Sequence, residues 1–265
     1  MRMPPDSPPD RRDELKLKTQ SIGGLEFQPA GPNAATKYVV ELARTGGCAH
    51  IHLANAYTTV LADRDDVYRR LINQGVVFAD GKPITWFSRL TRQTPQIRQV
   101  RGPQLFLDVL DSGRSSGLRH FFLGSTDEVL ERMRCRLAER FAGIEIVGSY
   151  SPPFRPLTAE EIAYQDAIIQ QAKADIVWVG LGTPKQDVEA ARLALSTARV
   201  VIAVGAAFDF TAGTLPVAPI WMQRAGLEWL FRLASEPRRL WRRYLIGNVR
   251  FVWAVLRRQR FQRSV

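Results

Sequence analysis

The sequence predicts an α/β protein: a Rossmann-like, mostly parallel sheet with helices on both faces, followed by a C-terminal amphipathic helical appendage. Three observations predict it. Short apolar, β-branched runs alternate with helical patterns every 20–40 residues or so, the mark of a parallel sheet wound on both sides. Runs such as Val76-Val77-Phe78-Ala79 and Ile176-Val177-Trp178-Val179 are apolar at nearly every position, which fits strands covered on both faces. Charge is concentrated at one end: residues 221–265 hold eleven arginines against Glu228 and Glu236, and four of the six tryptophans, in a chain of formal net charge +11.

Residues 1–32 read as a variable N-terminal segment, rich in Pro, Asp and Arg and then in Gly. Its first dozen residues have the composition of a disordered stretch, and 15–27 fit a short hairpin. It has no apolar core of a signal peptide, so a protein that is not secreted is expected. A Rossmann-like catalytic core follows over 33–219. Its first helix is expected from Asn33, as N-cap, to Arg44, stopped by Gly46-Gly47. Strands are expected at 49–53, 76–79, 120–123, 144–147, 176–179 and 200–204. Helices are expected at 57–73, 84–90, 104–110, 128–140, 159–173 and 186–194. The appendage spans 220–265. There Leu227, Leu230, Phe231 and Ala234 line one face, while Arg224, Glu228 and Arg232 line the other, with Glu228 spaced to pair with Arg232. Pro237 restarts a helix through Tyr244, and Asn248 is a candidate cap for a third.

In sheets of this kind the ligand lies beyond the carboxyl ends of the strands. Those ends carry Asn55, Asp80-Gly81, Gly124-Ser125, Tyr150, the run Gly180 to Gln186, and Gly205 to Asp209. Glycines and small polar residues at successive strand ends suit a nucleotide or a sugar. The candidate substrate-binding residues are therefore Gly124, Ser125, Tyr150, Gly180, Gly182, Thr183, Lys185, Gly205, Phe208 and Asp209. Asp80 reads equally as a general base aimed into the cleft and as the turn residue of an Asp-Gly pair. The run Gly180 to Gln186 reads as an anion-binding helix start or as a plain strand-to-helix turn. Lys185 interrupts the G-x-G-x-x-G fingerprint, which argues against an NAD site.

Asp63-Arg64-Asp65 has the D-x-D form of a metal site, but it falls within a helical pattern, where a solvated face is the simpler reading. Cys48 and Cys135 lie far apart, and the three histidines form no metal motif. No metal and no cofactor are expected, in a reduced, cytosolic protein.

The arginine pairs 238/239 and 242/243 suit phosphate oxygens, and the interleaved tryptophans suit a helix lying in a membrane interface. The longest apolar stretch, 244–256, contains Arg250 and is shorter than the 18 or so residues of a spanning helix. A tail of this charge also suits nucleic acid. The apolar faces of its helices need a home, however, so a membrane surface is expected and no nucleic acid.

In their order along the chain, these residues resemble the WecG/TagA/CpsF family of bacterial glycosyltransferases (glycosyltransferase family 26), over about residues 33–244. The matching segments are Asn55-Ala56, Ala79-Asp80-Gly81, Arg101-Gly102, Gly180-Leu181-Gly182-Thr183-Pro184-Lys185-Gln186, Val204-Gly205, Phe208-Asp209, Ala212-Gly213, Gly226-Leu227-Glu228-Trp229-Leu230-Phe231-Arg232-Leu233, Glu236-Pro237-Arg238 and Arg243-Tyr244. The resemblance implies an inverting, metal-independent hexosyltransferase. It would move a sugar from a UDP-sugar such as UDP-N-acetylmannosamine to a polyprenyl-diphosphate-linked sugar. The place implied is the cytoplasmic face of the inner membrane, held peripherally, with a homo-oligomer as a further possibility.

By the same resemblance Asp80 is the base, and Asn55 and Gln186 line the catalytic cleft. Arg98 or Arg101 supplies a cleft arginine, and Arg232, Arg239 and Arg243 grip the lipid diphosphate. Phe208 and Asp209 are candidates for the nucleotide's base and ribose. The chain departs from the family pattern at Leu53, where Thr is common, at Asp187 for Glu, and at Val217 for Arg. These departures leave open a UDP-glucose or uronic acid donor in exopolysaccharide assembly, or a non-catalytic membrane scaffold.

Overall fold

The computed structural model describes residues 19–91 and 94–262. The stretch read as disordered lies outside them. The strands form one eight-stranded sheet of order β1-β2-β4-β3-β8-β7-β5-β6. These are β1 (Gln20–Ile22), β2 (Leu25–Phe27), β3 (Ala49–Ala54), β4 (Val76–Ala79), β5 (Arg119–Gly124), β6 (Glu145–Tyr150), β7 (Ile176–Gly180) and β8 (Val200–Ala203). All pair in parallel except β1 with β2. The central strands are fully buried on both faces, as their unbroken apolar runs require.

The hairpin fits the pattern seen at 15–27, but it is more than an N-terminal extension. Phe27 pairs with Val77, so β2 extends the sheet, and Ile22, Leu25 and Phe27 are buried. Helix α1 (Pro32–Arg44) starts from Gly31 rather than Asn33, because Pro32 takes the first helical position, where its missing N–H costs nothing.

The helix expected over 57–73 is two helices, α2 (Ala56–Arg64) and α3 (Asp66–Gln74). Asp65 between them is extended, and its carboxylate accepts from the amides of Val67 and Tyr68. An N-cap is worth about 1 kcal/mol to the helix it starts, enough to favour a break where the polarity pattern runs on. Next come α4 (Lys82–Leu90), α5 (Gly102–Gly113), α6 (Asp127–Arg140), α7 (Ala159–Gln171), α8 (Lys185–Thr197) and α9 (Ala207–Ala212).

One face of the sheet packs Phe78, Phe122 and Trp178 against Phe106 of α5 and Phe208 of α9. The other carries Val177, Val179 and Val201 against α8. A third cluster joins the hairpin, α2, α3 and α4 to Phe251 and Val255 near the chain's end.

The appendage comprises α10 (Ile220–Ala225), α11 (Glu228–Ser235), α12 (Pro237–Trp241), a π-helical turn (Arg242–Ile246) and α13 (Gly247–Gln262). Pro237 restarts the helix as expected. Asn248 caps nothing, since the π turn carries α12 straight into α13. The expected Glu228–Arg232 pair is absent: Glu228 meets Arg101 of the core, and Arg232 lies 3.9 Å from Glu236. A two-pronged tertiary partner outcompetes the single contact along a helix. Among the described residues no helix is long and apolar enough to cross a membrane.

Candidate active site

Asp80 is fixed by its neighbours on three sides. Its amide continues the sheet by donating to Ala54 O (2.9 Å), and its carbonyl accepts from Gln99 Nε2 (2.9 Å). Its Oδ1 accepts from the amide of Gly102 (2.9 Å), the first residue of α5. An added Cβ on Gly102 would sit 3.1 Å from Leu53 and 3.3 Å from the Val204 carbonyl, so the helix start approaches Asp80 this closely only without a side chain. Burial pushes the carboxyl up to about 6. The Gly102 amide opposes that shift, the charge of Glu228 adds to it, and Arg101 and Arg232 pull it back.

The two candidate arginines separate. Arg98 is exposed and lies across Gly31. Arg101 turns inward, its fork meeting Glu228 at 2.9 and 3.1 Å while Nη1 donates to Gln223. This ion pair ties the start of α5 to the start of α11. It forms part of the wall of a cavity of about 660 Å³ that Arg136, Phe210, Val217 and Gln223 also line.

Two tail arginines lie within electrostatic reach of Asp80. Arg243 stacks on the ring of Tyr57, 4.4 Å from its centroid, and Arg232 lies 5.4 Å from that of Phe210. Burial lowers the Arg243 pKa, and the negative charge of Asp80 is among the influences that oppose it. The side chain of Arg239, on α12, lies outside what the structure describes.

Asn55 follows β3 directly and caps α2, its Oδ1 accepting from the amides of Tyr57 and Thr58. Gln186 is buried, and its amide folds onto its own loop: Oε1 accepts from the Gly182 amide (3.0 Å) and Nε2 donates to Thr183 (3.4 Å). It shapes the turn that the run Gly180 to Gln186 makes. Gly124 and Gly180 bring neighbouring strand ends together, since a Cβ on Gly124 would lie 2.6 Å from the Gly180 carbonyl oxygen. Ser125 follows with φ 59° and its carbonyl accepts from Ser151. Gly182 and Lys185 are exposed, Gly205 faces Gln186, Asp209 is half-buried, and Tyr150 stands edge-on to Tyr164.

Phe208 is a correction. It is fully buried among Phe106 and Phe122 and is not available to a nucleotide. An aromatic after a glycine-rich turn reads alike whether it faces cleft or core. Of the D-x-D pair, Asp65 is exposed, as a solvated face requires, and caps α3, whereas Asp63 is largely covered and pairs with Arg257 and Arg258. Among the described residues no three His, Cys, Asp or Glu gather as a metal site would need.

Asp187 points into the core. It meets His52 Nδ1 (3.0 Å) and accepts from the Tyr68 hydroxyl (2.8 Å), while His52 Nε2 meets His50 Nδ1 (2.7 Å). Burial takes His50 down to about 4, so the imidazole is neutral at physiological pH. Of the three departures, Val217 lines the cavity, Leu53 packs beneath Gly102, and Asp187 is interior.

A carboxyl of raised pKa at a strand end, with arginines from a second element facing it, is an arrangement for acid–base chemistry beside an anionic group. The sequence profile of the Glycosyl transferase WecG/TagA/CpsF family matches residues 20–265. The chain belongs to this family. One relative is the N-acetylglucosaminyldiphosphoundecaprenol N-acetyl-beta-D-mannosaminyltransferase of Bacillus subtilis (strain 168), 32% identical over 190 residues and 70% of each chain. The protein of the same name from Bacillus spizizenii (strain ATCC 23059 / NRRL B-14472 / W23) is 32% identical over 250 residues, 92% of this chain and 93% of that one.

This WecG/TagA/CpsF family member is thus a glycosyltransferase with a Rossmann-like sheet. Sequence reasoning passed over the part that three residues play around Asp80 and the arginines. Tyr57 and Gln99 carry no signal of their own. Glu228 was visible as a partner for Arg232 and within a matching family segment, but not as the partner of Arg101.

Proposed function

We propose that this glycosyltransferase moves a sugar, N-acetylmannosamine or a close relative, from a UDP-sugar to an N-acetylglucosamine-bearing polyprenyl diphosphate. Asp80 takes the proton of an acceptor hydroxyl, and that oxygen bonds to C1 of the donor sugar. The bond from C1 to the diphosphate breaks on the opposite face, so the anomeric centre inverts and UDP leaves. Arg101, Arg232 and Arg243 are the cationic groups placed to offset phosphate charge. Strand-end glycines Gly124, Gly180, Gly182 and Gly205 admit the nucleotide, and Asp209 is the ribose candidate.

The observation that carries this reading is Asp80, held by the Gly102 amide with its carboxyl raised to about 6. A base with a pKa just below the working pH is mostly ionised yet still a useful proton acceptor. The names of the two relatives support the transferred sugar and the acceptor class, and the UDP carrier follows from the family resemblance. Val217, on the cavity wall where the family pattern has arginine, removes a cation there, which suits a second reading in which the donor is a neutral sugar such as UDP-glucose.

A lipid-linked acceptor implies work at a membrane surface, and the cytoplasmic face is the one we propose. Leu245, Val249, Val252, Trp253 and Leu256 are exposed at helical spacing along one side of the tail. The opposite side, Phe251, Ala254 and Val255, is buried. A helix apolar on two sides needs two partners, and a bilayer surface is the second.

The test is UDP release from a panel of UDP-sugars with polyprenyl-diphosphate N-acetylglucosamine in detergent or vesicles. Turnover with UDP-N-acetylmannosamine supports the first reading and turnover with UDP-glucose the second. Release with none of the sugars overturns both.

A further inference from the structure

The tail is fastened to the core at a place the reaction itself does not use. Asp63, in the last turn of α2, accepts from Arg257 (2.6 Å) and Arg258 (3.1 Å) of α13 through one carboxylate oxygen. Its side chain is only 13% exposed. A fully exposed ion pair would contribute little. Here a largely covered carboxylate is shared by two arginines on successive residues, which fixes the register of α13 as well as its attraction to the core. Packing repeats the constraint. Val255 lies over Gly23 and the Arg258 guanidinium lies over Gly24, where a Cβ would come within 2.9 Å of it.

The same helix holds the tail a second time. Tyr57, in the first turn of α2, carries Arg243 on its ring. Six residues separate Tyr57 from Asp63, about 9 Å along the helix. Two separated attachments to one rigid helix set both the position and the rotation of the segment between them. That segment includes the π turn, on which Arg243 sits.

We propose that Asp63 is a positioning residue: by clamping α13 to α2 it seats Arg243 on Tyr57, facing Asp80. The consequence for turnover rests on the reading of Arg243 as a diphosphate-binding group. The consequence for the tail does not.

The test uses the full-length chain and D63A, D63E and R257A/R258A variants. Hydrogen exchange over residues 240–258 reads the clamp directly. D63A and R257A/R258A should each speed exchange there about tenfold, and D63E should restore protection. Combining the two lesions should add little to either alone, as expected for partners in one interaction. In turnover, D63A should raise KM for the lipid acceptor about tenfold and leave KM for the UDP-sugar unchanged. Unchanged exchange in D63A overturns the clamp, and an equal rise in both KM values overturns its consequence for turnover. A wild-type protein inactive toward every lipid acceptor defeats the functional reading alone, because exchange at 240–246 still decides whether Asp63 seats Arg243.

Discussion

At the scale of residues, Asp80 joins function to a cost in stability. Its pKa is raised from 3.8 to about 6, so the folded state binds the proton more tightly than the unfolded chain does. The stabilising contribution is complete below about pH 4 and is lost as pH rises through 6, a penalty of at most roughly 3 kcal/mol at neutral pH. Asp80→Asn keeps an acceptor for the Gly102 amide and removes the buried charge. It should abolish turnover, by at least about a thousandfold, retain UDP binding by calorimetry, and raise the melting temperature at pH 7.5. Near-normal turnover in this variant would refute the base assignment. The wild-type rate should fall as pH drops below about 6. Arg101→Gln should move that acid limb to higher pH, because it removes a cation and leaves Glu228 uncompensated beside Asp80; Glu228→Gln should move it lower. The place of Asp80 at a strand end was legible because an Asp-Gly pair follows a buried strand directly, but base and turn residue read alike there, and only the family resemblance chose between them. Phe208 was not legible, and Arg98 and Arg101 could not be told apart, since a three-residue spacing in an irregular segment says nothing about which side chain turns inward.

At the scale of elements, the outward face of α13 should decide membrane binding. Val249→Glu with Trp253→Glu should abolish flotation with vesicles containing anionic lipid, while UDP binding stays unchanged. Flotation equal to wild type would remove this face from the interface. The strands were readable to within one or two residues at most positions, because burial on both faces imposes an unbroken apolar run. Helix ends were less so. Asp65 resembles any surface carboxylate until its cap is seen, and the π turn at Arg242–Ile246 hides the continuity of α12 with α13 from any pattern of period 3.6.

At the scale of the molecule, the order of the sheet was the least legible feature. A repeat of strand and helix implies parallel pairing, yet nothing in it places β8 between β3 and β7. Nor does it predict that the last helix helps close the first hairpin. Truncation after Pro219 should therefore do more than remove arginines. It uncovers Ile22, Thr59 and Tyr57, and should yield a protein inactive toward the lipid acceptor that melts at least several degrees lower. A truncated protein as stable and as active as the full chain would show the tail to be dispensable. The contact between Gly23-Gly24 and α13 also has a consequence for synthesis. Residues 20–27 leave the ribosome well before their cover in α13, while the growing chain folds from its N-terminus. A nascent chain can build most of the sheet before it has Arg243 to set before Asp80, so activity and the lipid-facing helix come into being together, once α13 has been made.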